Sequence, residues 1–218
     1  MNRLLHTSLM LLLLAGISCA EPTGPLPRPA QDLKETGPVS TAVFAGGCFW
    51  CIEAIFEPLR GVSSVVSGYA GGDAATAHYD IVSGGGTKHA ESVQVTYDPA
   101  QISYGTLLQV FMSLHHPTQV EGQGPDWGHQ YRSAIFYQSE EQKKVAQAYL
   151  DQLAAAKVYD KPIATKLETL EKFYPSEDYH QDYVARHPDH PYVRQWALPK
   201  LEKLHHLYPG LLKDSRPQ

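Results

Sequence analysis

Thr41-Ala42-Val43-Phe44-Ala45-Gly46-Gly47-Cys48-Phe49-Trp50-Cys51-Ile52 is the stretch from which the rest of the chain is read. Thr41 to Ala45 is a short apolar run of the kind that forms a buried strand. Gly46 and Gly47 let the backbone turn tightly and let another group approach it closely. Ile52, Ile55, Phe56 and Leu59 then recur at helical spacing, and Pro58-Leu59-Arg60-Gly61 ends the helix. Cys48 therefore falls at a strand-to-helix junction.

Working outward, Val62 to Tyr69 reads as a second strand, followed by the loose loop Gly71-Gly72-Asp73-Ala74. Ala90 to Tyr97 alternates apolar and polar residues and stops at Asp98-Pro99. Ser103 to Leu114 carries Leu107, Leu108, Phe111 and Leu114 on one helical stripe. A Gly/Pro/His-rich loop from His115 to Gln130 is longer than a simple connection requires, which marks it as functional or disordered. Tyr131 to Tyr137 is a strand, and Ser139 with Gln142 forms a capping box that opens a helix reaching Ala156. A short strand over Thr165 to Leu170 and two short helices complete the chain. This order predicts an α/β (α+β) two-layer sandwich. It resembles a split β-α-β, ferredoxin-like core with helices on one face, extra C-terminal helices and long loops. The domain is expected over 41–210, with a tail over 211–218.

Helix N-termini stabilise anions, so a thiol at Cys48 is expected to have its pKa lowered from about 8.5 toward neutrality. Cys51 lies one helical turn on, on the same face and close enough for a disulfide after local adjustment. A static disulfide or two inert thiols is the alternative. Glu91 shares parity with Val93, Val95 and Tyr97, so its carboxyl points toward the core unless it reaches water at the strand's start. Burial would raise its pKa and make it a proton donor near neutral pH. Tyr79 and Asp126 carry groups that can polarise an oxyanion-like centre, although each could equally be an ordinary loop residue. The eleven histidines show no metal-ligand spacing.

The N-terminus differs from the rest. Arg3, the apolar run Leu9 to Ala15 and the small residues Ser18-Cys19-Ala20 have the form of a secretion signal over 1–20. Cleavage after Ala20 would release a periplasmic protein, and cleavage before Cys19 would leave a lipid-anchored one. Glu21 to Ser40, rich in Pro and Gly, reads as a flexible tether. An exported chain meets a compartment where disulfides persist. At 218 residues, with 43% apolar residues and a net charge of −5, the chain can build one full core and has no basic surface for nucleic acid.

Several motifs occur in a fixed order: Gly46-Gly47-Cys48-Phe49-Trp50; Tyr79; Ser83-Gly84 with Thr87-Lys88-His89-Ala90-Glu91; Tyr97-Asp98-Pro99; Asp126-x-Gly128-x-Gln130-Tyr131-Arg132-Ser133-Ala134-Ile135; and Tyr179-His180-Gln181-Asp182-Tyr183. Over residues 42–192 the chain resembles the peptide methionine sulfoxide reductases of the A type. The resemblance implies thiol-dependent reduction of the S-epimer of methionine sulfoxide in proteins or peptides, with a thioredoxin-like dithiol donor, no metal and no bound cofactor, in a monomer. It implies that Cys48 attacks the sulfoxide sulfur and Glu91 protonates its oxygen. Tyr79 and Tyr131 would hold that oxygen, with Asp126 in the same pocket, and Phe49 and Trp50 would wall the S-methyl group. Two departures stand out. No cysteine follows Cys51, so Cys51 or an external thiol must resolve the sulfenic acid, with Cys19 a remote third source. Lys88 stands where the family has glycine, expected strained if the position needs positive φ, and otherwise directed to solvent.

Overall fold

The structure, a computed structural model, describes residues 22 and 24–214; the expected secretion signal over 1–20, with Cys19, and residues 215–218 lie outside the described residues. Among the described residues, fourteen α-helices and β-strands follow one another: β1 Ser40–Gly46, α1 Phe49–Phe56, β2 Val62–Ala70, α2 Tyr79–Ser83, β3 Ala90–Tyr97, α3 Tyr104–Leu114, β4 Gly122–Gln123, β5 Asp126–Trp127, β6 Ser133–Tyr137, α4 Glu140–Ala155, β7 Lys166–Thr169, β8 Phe173–Pro175, α5 Tyr183–Arg186 and α6 Leu198–Leu207. A π-turn over Val193–Ala197 leads into α6.

The main sheet has the order β7-β6-β1-β3-β2-β8. Its centre, β6-β1-β3-β2, is the expected split β-α-β arrangement: β3 lies between β1 and β2 and runs antiparallel to both. β7 adds parallel to β6 at one edge, and β8 antiparallel to β2 at the other. β4 and β5 form a separate small hairpin inside the long loop.

Pleating decides which side chains meet. Ala42 and Phe44 of β1, Tyr69 of β2 and Val93 and Val95 of β3 face the helices in the main core, whereas Val43, Ala45, Ala70 and Ala90 face the other side in a smaller cluster. Phe44 stacks between Phe56 of α1 and Phe111 of α3, at centroid distances of 5.2 and 5.0 Å. That aromatic contact fixes the C-terminal end of α1 above the sheet. Ser139 caps α4 by accepting from the Gln142 N–H at 3.1 Å, while the Gln142 side chain turns back to the Gln138 N–H at 2.9 Å.

The flexible tether expected over 21–40 does not describe residues 26–35. Leu26 is buried; its N–H donates to the Tyr208 hydroxyl and its carbonyl accepts from Gln109. Asp32 accepts from the Gly105 N–H at 2.8 Å and the Ser103 hydroxyl at 2.6 Å, adding a tertiary cap to α3. Glu35 accepts from the Tyr97 hydroxyl. The composition reads as tether because these anchors depend on partners far along the chain. The start of the 211–218 tail is similarly held: Arg60 N–H donates to the Leu211 carbonyl at 2.8 Å, and Leu59 bridges Leu212.

Candidate active site

α1 starts without a Ser, Thr, Asp or Asn at its N-cap. Cys48 occupies that position and makes no side-chain capping bond. A side chain from the sheet does the capping instead. The Phe49 N–H, at the first helical residue, donates to Oε2 of Glu91 at 3.1 Å. Glu91 is buried with Tyr69 opposite it on β2, so the inward parity holds. Burial raises its carboxyl to about 8, only partly opposed by the Phe49 N–H. Glu91 is thus a neutral acid near pH 7 with one oxygen engaged and the other available to carry a proton.

The turn that delivers Cys48 is tightly constrained. Gly47 has φ +91°, and a Cβ there would lie 2.4 Å from Cβ of Gln123. Gln123 is fixed by two bonds to the His116 backbone, at 2.8 and 2.6 Å. The turn therefore needs glycine both for its dihedral and for its clearance.

Cys48 and Cys51 are buried free thiols, hydrogen-bonded to each other. The expectation of a lowered Cys48 pKa is not met. Desolvation pushes this thiol well above its ordinary range, reinforced by Cys51, Glu91 and Asp126. The helix N-terminus is outweighed because the site is closed and surrounded by acidic groups. Cys51 lies below its ordinary range, chiefly through the Cys48 hydrogen bond, with Lys200 and Tyr192 acting in the same direction.

Tyr79 and Tyr131 converge on the same spot. Burial, then Glu91, then Cys48 push Tyr79 up to about 12. Tyr131 is raised by burial, Glu91, Asp126 and Cys48. Both hydroxyls keep their protons and can donate to an oxygen held between Glu91 and Cys48. Glu177 sets the position of Tyr79, accepting from its N–H and from the Tyr69 hydroxyl, each at 3.0 Å. Phe49 is buried with its ring 6.5 Å from that of Tyr79 and 5.0 Å from that of His180. Trp50 stacks on Tyr183 at 3.7 Å and 5° and donates its indole N–H to Nδ1 of His180 at 3.1 Å. Trp50 and its neighbours thus make an aromatic wall beside the cysteine pair.

Asp126 is reached differently from the two tyrosines. It accepts from the Tyr192 hydroxyl at 2.5 Å and lines a small pocket with Cys48, Cys51 and Lys200. Burial raises its carboxyl, and Lys200 opposes the shift. Lys88 is exposed and is not among the residues with positive φ; Gly85 and Gly86 take that conformation instead. Glu91 is shifted by burial, Phe49, Asp126 and Cys51, with no contribution from Lys88. Sequence reasoning missed Gln123, Glu177, Tyr192 and Lys200. Gln123, Glu177 and Lys200 stand outside every motif quoted above, and Tyr192 only closes the last of the matched span.

The model of the family described as peptide methionine sulfoxide reductase matches residues 40–209. Peptide methionine sulfoxide reductase MsrA 2 of Synechocystis sp. is 56% identical over 196 residues, which span 86% of this chain and 90% of that protein. Peptide methionine sulfoxide reductase MsrA of Thermus thermophilus is 52% identical over 176 residues, 81% of this chain and 99% of that one. Among solved structures, reduced Mxr1 from Saccharomyces cerevisiae superposes with TM-score 0.63 at 31% identity, covering 74% of this chain and 92% of its own. Methionine sulfoxide reductase A of Corynebacterium diphtheriae gives 0.61 at 32%, covering 78% and 86%.

Proposed function

The chain belongs to the peptide methionine sulfoxide reductase family, and we propose that Cys48, Glu91, Tyr79 and Tyr131 carry the reaction while Cys51 resolves it. The activity is thiol-dependent reduction of methionine sulfoxide, and its consequence is repair of oxidised protein. The observation that carries the residue assignment is the Glu91 carboxyl, buried and capping the helix whose N-cap is Cys48.

The sulfoxide oxygen lies toward Glu91, Tyr79 and Tyr131, and its sulfur toward Cys48. Glu91 gives its proton to the oxygen as the Cys48 sulfur attacks, and the raised Cys48 thiol surrenders its own proton to the vacated carboxylate. Two electrons pass from the cysteine sulfur to the methionine sulfur and the S–O bond breaks. Methionine leaves as a thioether, and the oxygen ends on Cys48 as a sulfenic acid. Phe49 and Trp50 hold the S-methyl group, each sulfur–aromatic contact contributing about 0.3–1.5 kcal/mol. Asp126 shapes the rear of the cysteine pair through Tyr192. Cys51 then condenses with the sulfenic acid, releasing water.

The S-epimer is the expected substrate. A thioredoxin-like dithiol is the donor that suits a disulfide one helical turn long, and the protein acts as a monomer without a bound cofactor. The pattern Arg3, Leu9 to Ala15 and Ser18-Cys19-Ala20 supports export, to the periplasm or to a lipid anchor on Cys19. Assays with separated sulfoxide epimers test the substrate assignment: methionine should appear from the S-epimer, and equal rates from both would refute it. The mass of the mature N-terminus decides between cleavage after Ala20 and lipidation at Cys19.

A further inference from the structure

The substrate side of the cysteine pair uses Glu91, Tyr79, Tyr131, Phe49 and Trp50. None of these lines the small pocket that Cys48 and Cys51 share with Asp126, Tyr192, Trp196 and Lys200. The last three residues recur every fourth position along the π-turn and α6, so one helical stripe presents a hydroxyl, an indole and an ammonium to α1. Tyr192 donates its single proton to Asp126, and its hydroxyl also favours the charged form of Cys51.

We propose that Lys200 and Tyr192 are positioning residues that keep Cys51 as the thiolate of the pair. Cys51 is then the sulfur that closes the disulfide on oxidised Cys48, and also the sulfur expelled when a dithiol reductant attacks Cys48. The proposal rests on the reading of Cys48 as attacking cysteine and Cys51 as resolving cysteine. The groups facing Cys51 are Cys48 from its own helix, Glu91 from β3, Asp126 from β5, His116 from the loop after α3, and Tyr192 and Lys200 from the C-terminal helix. Of these the ammonium is the group that neutralises a thiolate directly. The opposite tendencies of the two thiols agree with this division.

Both steps balance without a further oxidant. In closure, the Cys51 thiolate forms the S–S bond and the S–O bond of Cys48 breaks; the departing hydroxide takes a proton equivalent to the one Cys51 gave up, making water. In reduction, the first donor thiolate bonds to Cys48 and the Cys51 thiolate leaves. The second donor thiolate then attacks the first donor sulfur, so the donor becomes the disulfide and Cys48 is freed. A better-stabilised thiolate leaves faster, which is why the attack falls on Cys48.

The test mixes full-length reduced protein with methionine sulfoxide, quenches at intervals with a thiol alkylator, and follows sulfenic acid with a dione probe. Lys200→Met should still release one equivalent of methionine per protein. It should close the disulfide about tenfold more slowly, the change in thiolate fraction that one pKa unit brings. Lys200→Arg keeps the charge and should restore most of the rate, which a merely structural role does not predict. Unchanged closure in Lys200→Met overturns the proposal while leaving Cys51 as the resolving residue. Absence of any Cys48–Cys51 disulfide in the unaltered protein overturns the proposal and the reading beneath it. Oxidised protein treated with a small monothiol and mapped by mass should carry the adduct on Cys48; an adduct on Cys51 contradicts the assignment of leaving sulfur.

Discussion

Replacing Glu91 by glutamine should weaken catalysis and strengthen the fold together. The amide keeps the shape and can still accept the Phe49 N–H that Glu91 now accepts at 3.1 Å, but it has no acidic proton. General-acid catalysis contributes about 10²–10⁴-fold, so methionine release in the first turnover should fall by that factor. Stability moves the other way. The Glu91 carboxyl is raised from 4.5 to about 8, so the stability gained from holding its proton is fully present below the unfolded value and is lost as pH rises through the folded one. At pH 7 the unfolded chain gains by ionising while the folded one stays protonated, which costs the fold about 3 kcal/mol. Glutamine escapes this cost, and for a domain of this size the melting temperature should rise by about 6–12 °C. Near pH 5 the gain should shrink to about 1 kcal/mol. In the unaltered enzyme, methionine release should fall about tenfold per pH unit above the folded pKa. Stopped-flow methionine release and calorimetry at both pH values measure these effects. A Glu91→Gln variant with ordinary activity, or with a melting gain independent of pH, refutes the neutral-acid argument.

Gly47→Ala should cost about 3 kcal/mol or more, since its φ of +91° is combined with a Cβ 2.4 Å from Gln123; denaturant titration measures it, and a near-neutral result would mean that the turn can relax. Arg132 is buried and holds Glu168 through two bonds of 2.8 Å while donating to the Lys88 and His129 carbonyls. Arg132→Met should therefore destabilise by about 3–5 kcal/mol and loosen the neighbouring Tyr131, read as a lower melting temperature and slower methionine release. Lys88→Gly should leave first-turnover methionine release and its pH profile unchanged, because Lys88 is exposed and does not act on Glu91; a shifted profile would make the lysine a determinant of the acid.

The sheet core was legible because its signals are local. Apolar runs, a clean period of two in β3 and a capping box at Ser139 each report on residues a few positions apart, and the order of elements then fixes the central four strands. The burial of Glu91 was legible for the same reason: it lies in phase with Val93 and Val95. What was not legible depends on distant partners or on the net effect of opposing terms. The docking of Leu26, Asp32 and Glu35 needs Tyr208, Gly105 and Tyr97. The Cys48 thiol shows the second case. Its place at a helix start is visible in sequence, whereas the enclosure that overrides the helix is not. Tyr192 and Lys200 had no local signature, since their stripe matters only once α6 is seen against α1.

The division of labour between Cys48 and Cys51 is tested most directly by thiol titration and peptide mapping after a single turnover on methionine S-sulfoxide without added reductant. The unaltered protein should release about one equivalent of methionine and lose both thiols to a Cys48–Cys51 disulfide. Cys48→Ser should release none, and Cys51→Ser should release about one equivalent, hold a sulfenic acid on Cys48 and fail to turn over with a dithiol donor. Full multiple turnover of Cys51→Ser with that donor, or methionine release from Cys48→Ser, would contradict the account.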